Sequence, residues 1–314
     1  MPSADANSQL NAPPKTPITD ALIERGYHAA IRKAKQFCHP LTWSIFNLPG
    51  DQQRGLMAWF AHLATAWDIM HRREKPRITE DSADALRVEL DDGFSGKCAF
   101  PVTAAVVDTV NRFHVPKQYL FEVLHGADLV YRFPQTQTYE QLLPILAKLG
   151  GGTACGALVI LGAKPGFEIP AIRFGQALLL SYWLIQLDSD LLARRYRLAQ
   201  HDFAECQLPL NELTSDNQGQ ALGYFARLYG QRIEHLFQES QSLGDYLEFD
   251  ALRSITALVD VVWETVVQIM LDPFRLMDHR PLVTRFPHFR KQKWKFYLGI
   301  EPAQPFISNH HAAH

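Results

Sequence analysis

The stretch GQALLLSYWLIQLDSDLLARRYRL, Gly175–Leu198, carries the clearest signal of fold class. Its apolar residues recur at intervals of three and four, the repeat of a helix with one buried face, and not at the interval of two that a strand requires. Within it stand Gln186, Asp188 and Asp190, polar groups whose burial costs free energy unless they meet partners or line a wet cavity. A second stretch, FAHLATAWDIMHRRE, Phe60–Glu74, has the same character. The most apolar run, Ala177–Leu187, is shorter than the roughly 20 residues that cross a bilayer.

On either side of these stretches the same periodicity holds, from Ile18 onward. It predicts helices at Thr19–Phe37, Gly50–Arg73, Thr79–Leu90, Val102–Phe113, Lys117–Tyr131 and Thr138–Gly162, the last interrupted near Gly150. A long helix is expected over Pro170–Tyr196, then an irregular link to Asn211, then helices at Asn217–Leu243 and Phe249–Leu271. The expected architecture is all-α, a single-domain helical bundle over residues 19–280, with a polar, disordered leader over 1–18 and a basic aromatic tail over 281–314. No internal repeat of solenoid length is visible.

The 314 residues are 47% hydrophobic and 20% charged, which excludes whole-chain disorder and low complexity. A formal net charge of -2 supplies no field that would recruit nucleic acid, so any anion site must be local. Cys38, Cys98, Cys155 and Cys206 are too widely spaced for a metal knuckle or a dense disulfide framework. Reduced thiols and a cytoplasmic location are expected. The N-terminus has no basic-then-apolar signal pattern. Gly150, Gly151 and Gly152 follow no strand and open no phosphate loop, so close helix packing or a kink is their reading. The tail segment RFPHFRKQKWKFYL, Arg285–Leu298, mixes cations with aromatics, a composition suited to peripheral contact with an anionic lipid surface or to a protein partner, and equally to a solvated extension.

In order and spacing, Phe60–Arg72, Leu143–Gly156 and Gly175–Ala199 resemble the motifs of the squalene/phytoene synthase family, the head-to-head condensing enzymes of the isoprenoid-synthase fold. Ala127–Leu143, ADLVYRFPQTQTYEQLL, matches that family's Asp-Leu followed by Arg-aromatic. The resemblance covers about Tyr27 to Arg280. It implies an isoprenoid-synthase-type bundle in which aspartates on two facing helices hold Mg²⁺ against a substrate diphosphate, so that an allylic bond ionises inside an apolar pocket.

Position by position the chain departs from that pattern. Trp67 and His71 stand at the first and fifth places of the first motif, with Asp68 kept from the doubled aspartate. In the second motif the first place is Gln186, Ser189 replaces Glu, and the final aspartate survives as Asp190. Ala64, Leu179, Tyr182 and Ile185 replace the family's Arg, Gln, Asn and Arg; Arg195 keeps its place, while Arg194 and Arg197 replace Gly and Tyr. One of four cavity-facing aspartates remains.

Asp68, His71 and Asp190 are the candidate proton donors or acceptors, with Asp190 and Asp68 the candidate metal ligands. His71 suits Zn, Fe or Cu better than Mg²⁺. Trp67, Asp128, Tyr182, Gln186 and Arg195 are the candidate ligand-binding residues. The structural alternatives are packing for Trp67, a hydrogen-bonded core or boundary position for His71, an i,i+4 pair with Arg132 for Asp128, and for Asp188 and Asp190 a solvated helix end or local ion pairs with Arg194, Arg195 and Arg197. Two functions follow from the resemblance. One is a divergent prenyltransferase using Mg²⁺ and allylic diphosphates of the farnesyl or geranylgeranyl type. The other is a catalytically retired relative, needing no cofactor, that binds an isoprenoid lipid or serves as a protein-assembly scaffold.

Overall fold

A computed structural model describes residues 14–37, 44–71, 83–132, 135–210 and 219–277. The first helix, α1 (Asp20–Phe37), starts at Thr19, whose hydroxyl accepts the Leu22 N–H. It packs on α2 (Gly50–His71) and on α4 (Pro101–Phe113). Between these lies α3 (Ala83–Phe94). The buried Glu89 carboxylate accepts the Ala99 and Phe100 N–H groups, satisfying orphan donors where Pro101 opens α4. Next comes α5 (Lys117–Arg132), packed against α2.

A capping box of Thr138 and Gln141 opens α6, which runs Tyr139–Ile160 and passes through a π-helical turn at Ala147–Gly151. The expected interruption near Gly150 is this turn. It begins just after Pro144, which lacks the N–H of an ordinary helix residue. The glycine run has a packing cause: a Cβ on Gly150 would stand 2.3 Å from the Gly175 carbonyl oxygen. At Gly156 a Cβ would stand 1.9 Å from the Trp59 ring. The missing side chains let α6 touch α7 (Glu168–Ile185) and α2 at backbone distance.

The helix expected through Tyr196 does not continue. It breaks at Gln186, where ψ is 5°, resumes as α8 (Leu187–Leu192), and ends in an irregular link with Arg194 at a φ of 52°. The link then gives way to α9 (Gln200–Glu205). α10 (Gly219–Glu239) and α11 (Phe249–Leu271) complete the bundle and pack on each other and on α7. A two-residue antiparallel pair, Thr16–Pro17 with Lys97–Cys98, is the one sheet among the described residues.

α6 and α11 are each long and apolar enough to cross a membrane, yet 56% and 61% of their most apolar windows is buried in the protein. They are core helices. Cys98, Cys155 and Cys206 are buried free thiols. Of the leader expected to be disordered over 1–18, residues 16–17 instead pair with Lys97–Cys98, while residues 1–13, Cys38 and the tail from residue 278 onward, including Arg285–Leu298, lie outside the described residues.

Candidate functional site

Between α2, α6, α7 and α11 the helices part around a cavity of about 200 Å³. α2 contributes Leu56, Phe60, Leu63 and Trp67, and α7 contributes Phe174, Leu178, Tyr182 and Ile185, each set a single stripe at helical spacing. From the π-turn come Leu149 and Gly150, from the stretch of α6 beyond it Thr153, Ala154 and Ala157, and from α11 Ser254, Ile255, Leu258 and Val262. The wall is almost wholly apolar. Thr153 donates its hydroxyl to the Leu149 carbonyl at 2.7 Å and Ser254 to Asp250 at 3.0 Å, so two of its hydroxyls are spent on their own helices.

At one end Trp67 meets Tyr182 edge to face, ring centroids 5.0 Å apart and planes at 80°. The place where the resemblance puts an aspartate on α2 therefore faces the cavity, but carries an indole. Above Trp67 lies the Arg197 guanidinium, 4.8 Å from the ring centroid. Arg197 Nη1 is 3.0 Å from Asp190 Oδ2, and Arg195 Nε donates to Asp190 Oδ1 at 3.0 Å. The Arg197 contact is an ion pair without the alignment of a hydrogen bond. The side chains of Arg197 and Asp190 are 4% and 5% exposed. Burial pushes the Asp190 carboxyl upward and the two arginines pull it back; burial likewise lowers the Arg197 guanidinium, with Asp190 opposing.

The helix break at Gln186 alters the phase of the residues beyond it. Asp188 and Asp190 both lie beyond the break, two positions apart on α8 and so about 200° apart around its axis. Here both are buried, and Gln186 caps α7 with its backbone N–H on the Tyr182 carbonyl.

The other sequence candidates lie elsewhere. Asp68 points toward α1, where it binds Lys33 Nζ at 3.0 Å with its side chain 46% exposed. Asp128 pairs with Arg132 at 2.7 Å, the i,i+4 alternative, and Arg132 also reaches Asp84. His71 ends α2, and its side chain falls outside the described residues. The structure thus brings Trp67, Tyr182, Asp190 and Arg195 to one end of the cavity, with Arg197 at their centre. In the sequence Arg197 was visible as a departure from a family tyrosine and as a possible ion-pair partner of Asp190, and the second reading is the contact seen here. α11's share of the wall was legible only as an apolar helix without an assigned site.

Two further buried groups stood out of reach of pattern reading. His62 is enclosed beneath α5 with Nε2 3.2 Å from the Leu120 carbonyl, and burial holds its pKa down to about 4. Asp202 accepts Tyr229 Oη at 2.6 Å and both Nη atoms of Arg232 at 2.5 and 3.0 Å, while Tyr229 Oη accepts the Ala199 N–H. With Gln200 N–H on the Thr136 carbonyl, this clamp fixes the link that presents Arg195 and Arg197.

The residues present do not fit a magnesium cluster. Mg²⁺ demands several hard oxygen ligands in octahedral array. Among the described residues no group of three acidic, His or Cys side chains converges, Asp68 points away from Asp190, and both oxygens of Asp190 face arginines.

An all-α bundle enclosing an apolar cavity beneath two facing motif helices defines an isoprenoid-synthase-type protein. A squalene/phytoene synthase family model matches residues 39–287, and the chain belongs to that family. Among solved structures, a dehydrosqualene synthase in complex with ligand is 18% identical with a TM-score of 0.75, covering 88% of this chain and 97% of its own. The squalene synthase HpnC from Alicyclobacillus acidocaldarius is 15% identical with a TM-score of 0.69, covering 82% and 97%. YisP from Bacillus subtilis is 13% identical with a TM-score of 0.59, covering 80% and 88%. At these identities the likeness is one of fold. The family normally uses a divalent metal held by Asp-rich motifs.

Proposed function

We propose that this chain is a catalytically retired member of its family that holds an isoprenoid lipid in the apolar cavity without ionising it. The observation that carries the reading is the end of the cavity where Trp67 and Tyr182 close over the wall and Arg197 and Arg195 occupy Asp190. Diphosphate departure requires stabilisation of charge as it develops, through metal ions or aligned donors. An indole and a carboxylate already neutralised by arginines supply neither. The apolar wall is suited to a hydrocarbon chain, which gains about 25 cal/mol for each Å² withdrawn from water. We assign Trp67 and Tyr182 to ligand contact, and Asp190, Arg195 and Arg197 to holding that end of the cavity shut. Asp68 and Asp128 serve in surface ion pairs.

Two measurements test this. Purified protein extracted and examined by mass spectrometry should yield an isoprenoid lipid. Incubation with farnesyl or geranylgeranyl diphosphate and Mg²⁺ should release no diphosphate above the rate without protein; metal-dependent release at ordinary enzyme rates would establish the prenyltransferase instead.

A further inference from the structure

We propose that Arg197 takes the electrostatic place of a divalent metal between the two motif helices, and that the cavity consequently accepts an uncharged isoprenoid and refuses its diphosphate. The inference rests on the lipid-binding reading above and specifies the chemistry of the ligand's head.

The geometry is that of a bridge. Arg197 contacts Trp67 on α2 through the ring face and Asp190 on α8 through its guanidinium, joining the two elements that a metal would join. Arg195 meets the other oxygen of the same carboxylate. A cation arriving from solvent would have to displace two fixed positive groups from one buried carboxylate, against their repulsion. The position facing Asp190 offers no ligand atom, because Trp67 presents a ring.

The same arrangement decides what can lie beneath. Arg197 is behind the Trp67 ring and not among the cavity-lining residues, so a ligand head meets the Trp67 and Tyr182 side chains before it meets any cation. Thr153 and Ser254 have given their hydroxyl protons to helix carbonyls. A diphosphate would lose its hydration there with little in return, a penalty that grows with its charge. A prenyl alcohol or a hydrocarbon loses little. Trp67 is thus a specificity-determining residue, and Arg197 a positioning residue that acts through it.

The test uses the full chain and two probes, farnesol and farnesyl diphosphate, titrated by isothermal calorimetry in Mg²⁺ and again in EDTA. Farnesol should bind at least about tenfold more tightly than the diphosphate, and neither affinity should move more than roughly twofold between the two buffers. Diphosphate binding strengthened about tenfold or more by Mg²⁺ overturns the inference while leaving a lipid-binding protein in place. If neither probe binds, the lipid-binding reading falls and this one with it. Trp67→Ala, with folding verified by thermal melting, should narrow the preference between the probes, and Trp67→Phe should keep it. An unchanged preference in the folded alanine variant also overturns the inference.

Discussion

Gly150 and Gly175 meet main chain to main chain, and a Cβ built on Gly175 would stand 2.2 Å from the Gly150 carbonyl oxygen. The contact joins the π-turn of α6 to the middle of α7, and both glycines line the cavity. Backbone cannot yield as the end of a side chain can. Gly150→Ala should therefore push the helices apart and destabilise the fold by about 3 kcal/mol, the upper range of overpacking. Urea denaturation would show it as a lowered midpoint. Gly162→Ala places its Cβ in open space at a φ of 82°, and should cost less, through backbone strain alone.

Arg197→Ala leaves Asp190 buried with Arg195 as its remaining arginine partner in the cluster. Removing one side of a buried pair costs about 3–5 kcal/mol. Double substitution with Asp190→Asn should recover part of that loss, since the orphaned charge is then gone, and a double-mutant cycle on melting temperatures measures the recovery.

His62 provides a pH signature. Its folded pKa of about 4 lies below the ordinary value of 6.5, so between those limits the unfolded chain binds a proton that the folded chain refuses. Stability then rises with pH across this window and is lost as pH falls from 6.5 toward 4. The contribution amounts to about 3 kcal/mol, from about 1.4 kcal/mol per pKa unit. His62→Gln keeps a group able to donate to the Leu120 carbonyl and does not titrate. The difference in unfolding free energy between wild type and variant should shrink or reverse in sign on acidification; a constant difference from pH 7 to about 4.5 would contradict the assignment.

Ala157 lies on the cavity wall. Ala157→Phe fills space that a ligand would use, and should weaken farnesol binding about tenfold or more while leaving the melting temperature nearly unchanged. Equal binding by the variant would move the lipid site elsewhere.

The helices were legible because core burial writes a repeat of three and four into the chain, as the Leu56, Phe60, Leu63 and Trp67 stripe illustrates. The break at Gln186 was not. GQALLLSYWLIQLDSDLL contains neither proline nor glycine near that point, so no local breaker announces the interruption. Within the site, Trp67 and Tyr182 were found as departures from a family pattern. Asp68 is next to Trp67 in sequence but about 100° away around the helix, and its contact with Lys33 depends on α1. The Asp202 clamp joins residues about 30 positions apart that no local pattern connects.

The changed phase at Gln186 also limits how far a two-helix metal site could be built into this chain by design. Aspartates at positions 67 and 71 would supply one ligand-bearing helix, yet on its counterpart Asp188 and Asp190 would still point in different directions and Asp190 would remain under guanidinium guard. The site would need the α7–α8 junction straightened and Arg197 exchanged together. Any single exchange along that route passes through a protein with a carboxylate short of a partner in its interior, a barrier that makes such a site hard to build stepwise.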